Sequence, residues 1–133
     1  MATAIKKKTV GVNILLYGEP GTGKTELVSV LAKSLSTDLY QISIADSDGD
    51  DLQGSSRLSA YKMAQRILSK QTGSLLLFDE VEDIFPHTSF YSKNKGPGKA
   101  WFNNLLETNE TPTFWLSNNI RQIDNAYIRR FDY

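Results

Sequence analysis

An apolar run, VNILLY, passes directly into GEPGTGKT and then into TELVSVLAKSL, and this order constrains the fold more than any other part of the chain. The first run has strand length and composition, and the third places Leu27, Val28, Leu31 and Leu35 at helical spacing. Between them, Gly18, Gly23, Lys24 and Thr25 stand at the G-x-x-x-x-G-K-[ST] spacing of a phosphate-binding loop. Each residue type has a physical role there. Glycines allow backbone N–H groups to turn inward around an anion, and the helix that opens near Gly23 directs its positive dipole end at the same group. Lys24 supplies a point charge for the terminal phosphates, and the Thr25 hydroxyl is a ligand for magnesium. The candidate cradle is therefore Gly18, Glu19, Pro20, Gly21, Thr22 and Gly23, with Lys24, Thr25 and Glu26 opening the helix. A glycine-rich turn with a solvated lysine is the plainer reading of the loop, but it leaves the flanking strand and helix unexplained.

The rest of the chain continues the alternation of strand and helix. LYQISI (Leu39 to Ile44) reads as a second strand, and ADSDGDDLQGSS reads as a loop by its density of Asp, Gly and Ser. SSRLSAYKMAQRILSK follows with Leu58, Tyr61, Ala64 and Leu68 on one helical face. SLLLFDE is a continuous apolar run of the kind found in strands buried on both faces. After the polar loop PHTSFYSKNKGPG come a short helix, KAWFNNLLET, a fourth strand, TPTFWL, and a last short helix, IDNAYIRRF. This pattern predicts an α/β fold, a parallel sheet between helices, whose ligand site lies beyond the carboxyl ends of the strands.

Length and charge bound the possibilities. At 133 residues the chain is expected to form one domain, 1–133, preceded by a flexible basic arm, 1–10, that carries Lys6, Lys7 and Lys8. This arm and the apolar run behind it imitate a signal peptide, but Asn13 interrupts the apolar stretch and no small-residue cleavage site follows. Fifteen basic residues balance fifteen acidic ones, which argues against nucleic acid or an anionic membrane as a partner. No apolar run approaches the roughly 20 residues that cross a bilayer, and without cysteine there is neither a disulfide nor thiol chemistry, so a cytoplasmic setting is expected.

Two further groups of residues fall where a ligand on the loop would lie. Asp79 and Glu80 end the third strand, where one carboxylate can hold magnesium and its neighbour can polarise an attacking water. Asp79 is assigned to the metal and Glu80 to the water, while Glu82 and Asp83 read as a solvated face. Asn118 ends the fourth strand, from which an amide can bind both terminal phosphate and water; a turn former is its plainer reading. Arg129 and Arg130 could offer guanidinium groups to a transferring phosphoryl group, although an arginine pair is also an ordinary surface feature. His87 is the sole histidine and has no metal-binding companion. Phe85, Phe90, Tyr91, Trp101 and Phe102 read as packing rather than as a stacking platform.

Taken together, GEPGTGKT, LLLFDE, WLSNN and IDNAYIRRFD resemble the ATPase core of the AAA+ family, in its AAA branch, from about Asn13 onward. The resemblance implies the P-loop architecture of the family's large subdomain, with ATP and magnesium bound. Asn118 falls on its first sensor position, with Asn119 as the fallback. It also implies that Arg129 and Arg130 enter a neighbouring subunit's site in a homo-oligomeric ring, commonly a hexamer. Many members carry an aromatic residue in the loop after the second strand that grips a polypeptide, whereas DSDGDDLQG offers only Leu52 and acidic residues, a departure that leaves peptide threading open. By the same likeness the chain is expected to stop before the family's last strand and helical lid, and by itself to be mainly monomeric and nearly inactive. The leading expectation is an ATP-hydrolysing motor core with an unidentified protein substrate. Its rivals are a nucleotide-dependent switch or scaffold with little turnover, and a DNA-handling relative.

Overall fold

The computed structural model describes residues 11–19, 21, 23–42, 48, 54–84, 99–119, 128–129 and 131. Four strands run through them: β1 (Asn13–Tyr17), β2 (Asp38–Gln41), β3 (Ser74–Phe78) and β4 (Thr113–Ser117). Three helices, α1 (Lys24–Ser34), α2 (Gly54–Leu68) and α3 (Lys99–Thr108), alternate with them, and a 3-10 turn at Val81–Ile84 follows β3. The basic arm, the loops 49–53 and 85–98, His87, the side chains of Glu82, Asp83, Trp101 and Phe102, and nearly all of the expected last helix lie outside the described residues.

All pairings are parallel, in the order β1-β4-β3-β2. The chain thus leaves β1, crosses to the far side of the sheet for β2, and returns through β3 to β4. Parallel crossovers are right-handed, so a crossover running one way and two running the other must lay their helices on opposite faces. α1 accordingly packs Val28 and Ala32 on Leu75, Leu77, Phe114 and Leu116. The other face packs Leu58, Tyr61 and Leu68 of α2 and Leu106 of α3 with Leu15, Leu76, Phe78 and Trp115. The alternation of Leu75 and Leu77 with Leu76 and Phe78 is the period-2 pattern of a strand covered on both sides, and every residue of β3 and β4 is buried. The expected sheet between helices is the one observed.

Of the apolar residues read at helical spacing along α1, Leu27 is 49% exposed, because the helix turns Val28 and Ala32 to the sheet. The second strand was expected at 39–44; regular pairing begins one residue earlier and covers Asp38–Gln41, with one further bond from Ile42 N–H to Leu77 O, while residues 43 and 44 lie outside the described residues. β2 is an edge strand, and three of its four residues are exposed.

At the amino-terminal end of the sheet a polar layer closes the core. Asn13, with no exposed surface, accepts the indole N–H of Trp115 at 2.9 Å and donates to Leu106 O at 2.6 Å and Asn109 Oδ1 at 3.1 Å. The Tyr61 hydroxyl pairs with Thr113 Oγ1 at 3.0 Å and accepts from Gln65 Nε2 at 2.9 Å. The Gln65 carbonyl oxygen takes the N–H groups of Glu110 and Thr111, at 3.1 and 3.0 Å. Buried polar groups cost free energy unless paired, and here the pairing fastens α2 to the β4 entry. Tyr61, Phe78 and Trp115 stack in mutual contact, with centroids 4.9–6.0 Å apart.

Tyr61→Phe is expected to cost about 1–2 kcal/mol at neutral pH by leaving buried partners of the hydroxyl unmet. Burial pushes the Tyr61 phenol above its ordinary value of 10.0. Above about pH 10 the unfolded chain therefore sheds that proton while the folded chain keeps it, and the parent loses stability that the phenylalanine variant does not. The stability gap measured by denaturant titration should narrow as pH rises past about 10; a constant gap would contradict the burial of this hydroxyl.

Candidate functional site

The candidate phosphate loop is built by its backbone. Gly21 and Gly23 have φ of +82° and +83°, a region that side chains disfavour, and a Cβ at either position would meet nothing within 4 Å. The dihedral, rather than crowding, requires glycine there. Gly23 is also the N-cap of α1, and no side chain caps this helix end. The N–H groups of the first turn have no partners within the helix, so this end suits an anion. Lys24 Nζ donates to the carbonyls of Gly18 and Glu19, both at 2.9 Å, which stations the ammonium over the loop.

Pairing of β1 with β4 sets the next wall. Tyr17 lies opposite Ser117, and Gly18 N–H donates to Ser117 O at 3.2 Å, so the residues that follow leave the sheet side by side. An open cleft of about 410 Å³ results, lined by Gly21, Gly23, Lys24, Thr25, Glu26, Asp79 and Asn118. Asn118 rather than Asn119 is among its walls; the N–H of Asn119 instead turns back to Ser117 Oγ at 3.2 Å. The cleft therefore gathers the loop, the helix N-terminus, two carboxylates and one amide beyond the carboxyl ends of three strands.

The placement of the other expected residues is mixed. Glu80 follows Asp79 at the strand end but is not among the walls of the cleft. Its φ is +51°, and the Asp79 carboxylate accepts its N–H at 2.8 Å. Arg129 is exposed, between Ile128 and Phe131, which pack on the core; Phe131 meets Trp115 edge-on at 6.2 Å. Pro20, Thr22 and Arg130 lie outside the described residues.

Thr25 and Asp79 offer a hydroxyl and a carboxylate to the same cleft, an oxygen donor set that suits magnesium. Among the described residues no three acidic or His side chains cluster as a metal cage, so most ligands of such an ion would be phosphate and water oxygens. No helix among the described residues is long and apolar enough to cross a membrane.

The profile of the ATPase family associated with various cellular activities (AAA) matches residues 14–133. The chain belongs to the AAA family of ATPases. This AAA domain is 31% identical over 129 residues to a putative 26S proteasome regulatory subunit homologue from Methanothermobacter marburgensis, covering 90% of this chain and 33% of that protein. It is 30% identical over 107 residues to the replication factor C large subunit of Pyrobaculum calidifontis, covering 80% of this chain and 23% of that protein. It is 29% identical over 126 residues to the mitochondrial chaperone BCS1 of Bos taurus, covering 86% and 28%. The chain thus spans a third or less of the length of these relatives. As an AAA ATPase domain it binds nucleotide, and α/β architecture with a parallel sheet is the fold observed.

Sequence reasoning missed Arg57. It is 1% exposed and donates to the carbonyl oxygens of Asp79 and Glu80. The available signal was its spacing: Arg57, Tyr61, Ala64 and Leu68 share one helical stripe, and an arginine on an apolar stripe is a buried cation. Asn13, first read as an interruption of an apolar run, is likewise the centre of a buried network.

Lys24→Ala removes the cation over the loop and should weaken ATP binding at least about tenfold, in line with the roughly 1.5–3 kcal/mol of a hydrogen bond to a charged group. Its partners are carbonyls on a loop at the surface, so the melting temperature should barely move. Calorimetry that finds equal affinity for parent and variant would exclude Lys24 from the site.

Proposed function

We propose that this AAA domain is the magnesium-dependent, ATP-hydrolysing motor core of a remodelling machine that works as a homo-oligomeric ring, a hexamer by family likeness. The observation that carries the reading is the cleft shared by Lys24, Thr25, Asp79 and Asn118 beyond the ends of β1, β3 and β4. In the proposed cycle the loop amides and Lys24 hold the phosphates of ATP. Thr25 and Asp79 would hold a magnesium ion, which would offset the charge of the phosphates. Asn118 orients the attacking water and the terminal phosphate, Glu80 takes a proton from that water, and the water oxygen bonds to the terminal phosphorus as the bond from that phosphorus to the bridging oxygen breaks, giving ADP and inorganic phosphate. Arg129 and Arg130 of the neighbouring subunit stabilise the charge of the transition state. Exposure of Arg129, away from the walls of its own cleft, supports a role in trans.

The domain assignment we propose is a single core over 1–133 with residues 1–10 as a basic arm, in the cytoplasm. Relatives named as a chaperone and as a proteasome regulatory subunit homologue support a polypeptide as the client. A relative named as a replication factor favours DNA handling, but the balanced charge of this chain opposes it. One observation favours a nucleotide switch with little turnover instead: Glu80 is not among the walls of the cleft.

Glu80→Gln discriminates between motor and switch. In the full-length ring it should leave ATP binding intact and lower turnover by about a hundredfold or more, within the range of a lost general base. A parent protein that binds ATP tightly without measurable turnover would favour the switch.

Sharing of sites between subunits has its own test. A ring protein lacking Arg129 and Arg130 and one carrying Glu80→Gln should each be nearly inactive, yet mixed rings should regain part of the activity. Recovery requires boundaries where an intact cleft meets intact arginines. No recovery in rings shown by light scattering to be mixed would reject the trans assignment.

A further inference from the structure

We propose that Arg57 is a positioning residue for the catalytic strand end, holding the Asp79–Glu80 backbone in the conformation from which Glu80 works. This inference rests on the ATPase reading above, and its argument begins with the energetics of burial. A guanidinium only 1% exposed is costly to desolvate, and an apolar side chain of similar volume would serve packing as well or better. What Arg57 has in return is contact with three consecutive residues at one point of the chain. It donates to the carbonyl of Asp79 through Nη2 and to the carbonyl of Glu80 through Nη1 at 3.1 Å, and its Cζ lies 4.3 Å from the centre of the Phe78 ring.

Those carbonyls lie where the sheet stops holding the chain. Pairing of β3 with β4 ends at Phe78, opposite Trp115, and pairing with β2 ends at Leu77. Beyond that point the backbone enters a left-handed conformation at Glu80, φ +51°, before the 3-10 turn at Val81–Ile84. A non-glycine residue in that region is strained and persists only where its surroundings enforce it. Here they do so from both sides: the Glu80 N–H is bound by Asp79 Oδ1 and the Glu80 carbonyl by Arg57. The direction in which the Glu80 side chain leaves the backbone is thereby tied to the first turns of α2. Arg57 is not itself among the walls of the cleft and meets Asp79, which is, at its backbone carbonyl, so it acts through the Asp79–Glu80 backbone.

The test uses Arg57→Met, which keeps the length but removes the donors, and Arg57→Lys, which keeps the charge, in the full-length ring. Arg57→Met should leave ATP affinity within about threefold of the parent and lower kcat at least about tenfold, with Arg57→Lys recovering part of that loss. In a Glu80→Gln background, Arg57→Met should lower kcat by no more than about twofold further, because residues that act through one another are not additive. Hydrogen exchange of the peptide 79–84 should accelerate while that of 74–78 stays slow. An unchanged kcat in either folded variant, or losses that multiply in the double variant, would overturn the proposal. If the parent binds ATP but does not turn it over, the ATPase reading has failed, and exchange at 79–84 then decides for Arg57: acceleration confined to that segment upholds the clamp, and unchanged exchange rejects it. If the methionine variant does not fold, Arg57→Lys carries both readouts.

Discussion

Insertion of β4 between β1 and β3, by parallel pairing on both sides, is the constraint on which the candidate site depends. Strands far apart in sequence end level with one another, Tyr17 beside Ser117 and Phe78 beside Trp115. Neighbouring strands are about 4.8 Å apart, so the residues that follow them emerge within one phosphate group's reach. A slip of β4 by one residue would turn every side chain of that strand to the other face and move Asn118 away from the loop.

The register that makes this alignment is held at the opposite end of the sheet. Asn13 pairs across the sheet with Thr113 and receives the indole N–H of Trp115, which stands two residues further along on the same face. Gln65 and Tyr61 bind the segment entering β4 from the helix above. Each of these polar atoms is buried or half-buried and would lose its partner on a slip, so the network penalises alternative registers more sharply than apolar packing does.

The two ends of the sheet are held differently. The amino-terminal end is fastened by side-chain hydrogen bonds, and left-handed backbone there, at Gly11, Ser36 and Gly73, lies in the turns that enter the strands; beyond the carboxyl ends it falls at Gly21 and Gly23 in the loop and at Glu80 after β3. Such conformations persist where surroundings over-determine them, and they commonly mark sites that bind or react. At the loop, glycine and the Lys24 ammonium make the conformation tolerable. At Glu80 no glycine is present, and the buried guanidinium of Arg57 takes the part that residue type plays elsewhere.

Much of this architecture was legible in the chain itself, because it is written in local patterns. The glycine spacing, the helical period of Leu58, Tyr61, Ala64 and Leu68, and the apolar run of β3 need only neighbours within a few residues to be read. The family likeness followed from those motifs in order, and Lys24, Thr25, Asp79 and Asn118 converge where alternating strand and helix would bring them. Less legible was everything that depends on a partner distant in sequence. Periodicity could not tell whether α1 would turn Leu27 or Ala32 to the sheet, since the answer lies in the shape of the face formed by Leu75, Leu77, Phe114 and Leu116. Nor could it show that a charged residue on an apolar stripe, Arg57, would find two carbonyls 22 and 23 residues away. Sequence by itself determined the glycine loop between strand and helix, the kind and order of the elements, and the candidate residues of the cleft, because these follow from backbone dihedrals and local period. Tertiary structure alone decided strand order, register and the partners of the buried polar groups, because a hydrogen bond is satisfied by whichever atom the fold brings to it.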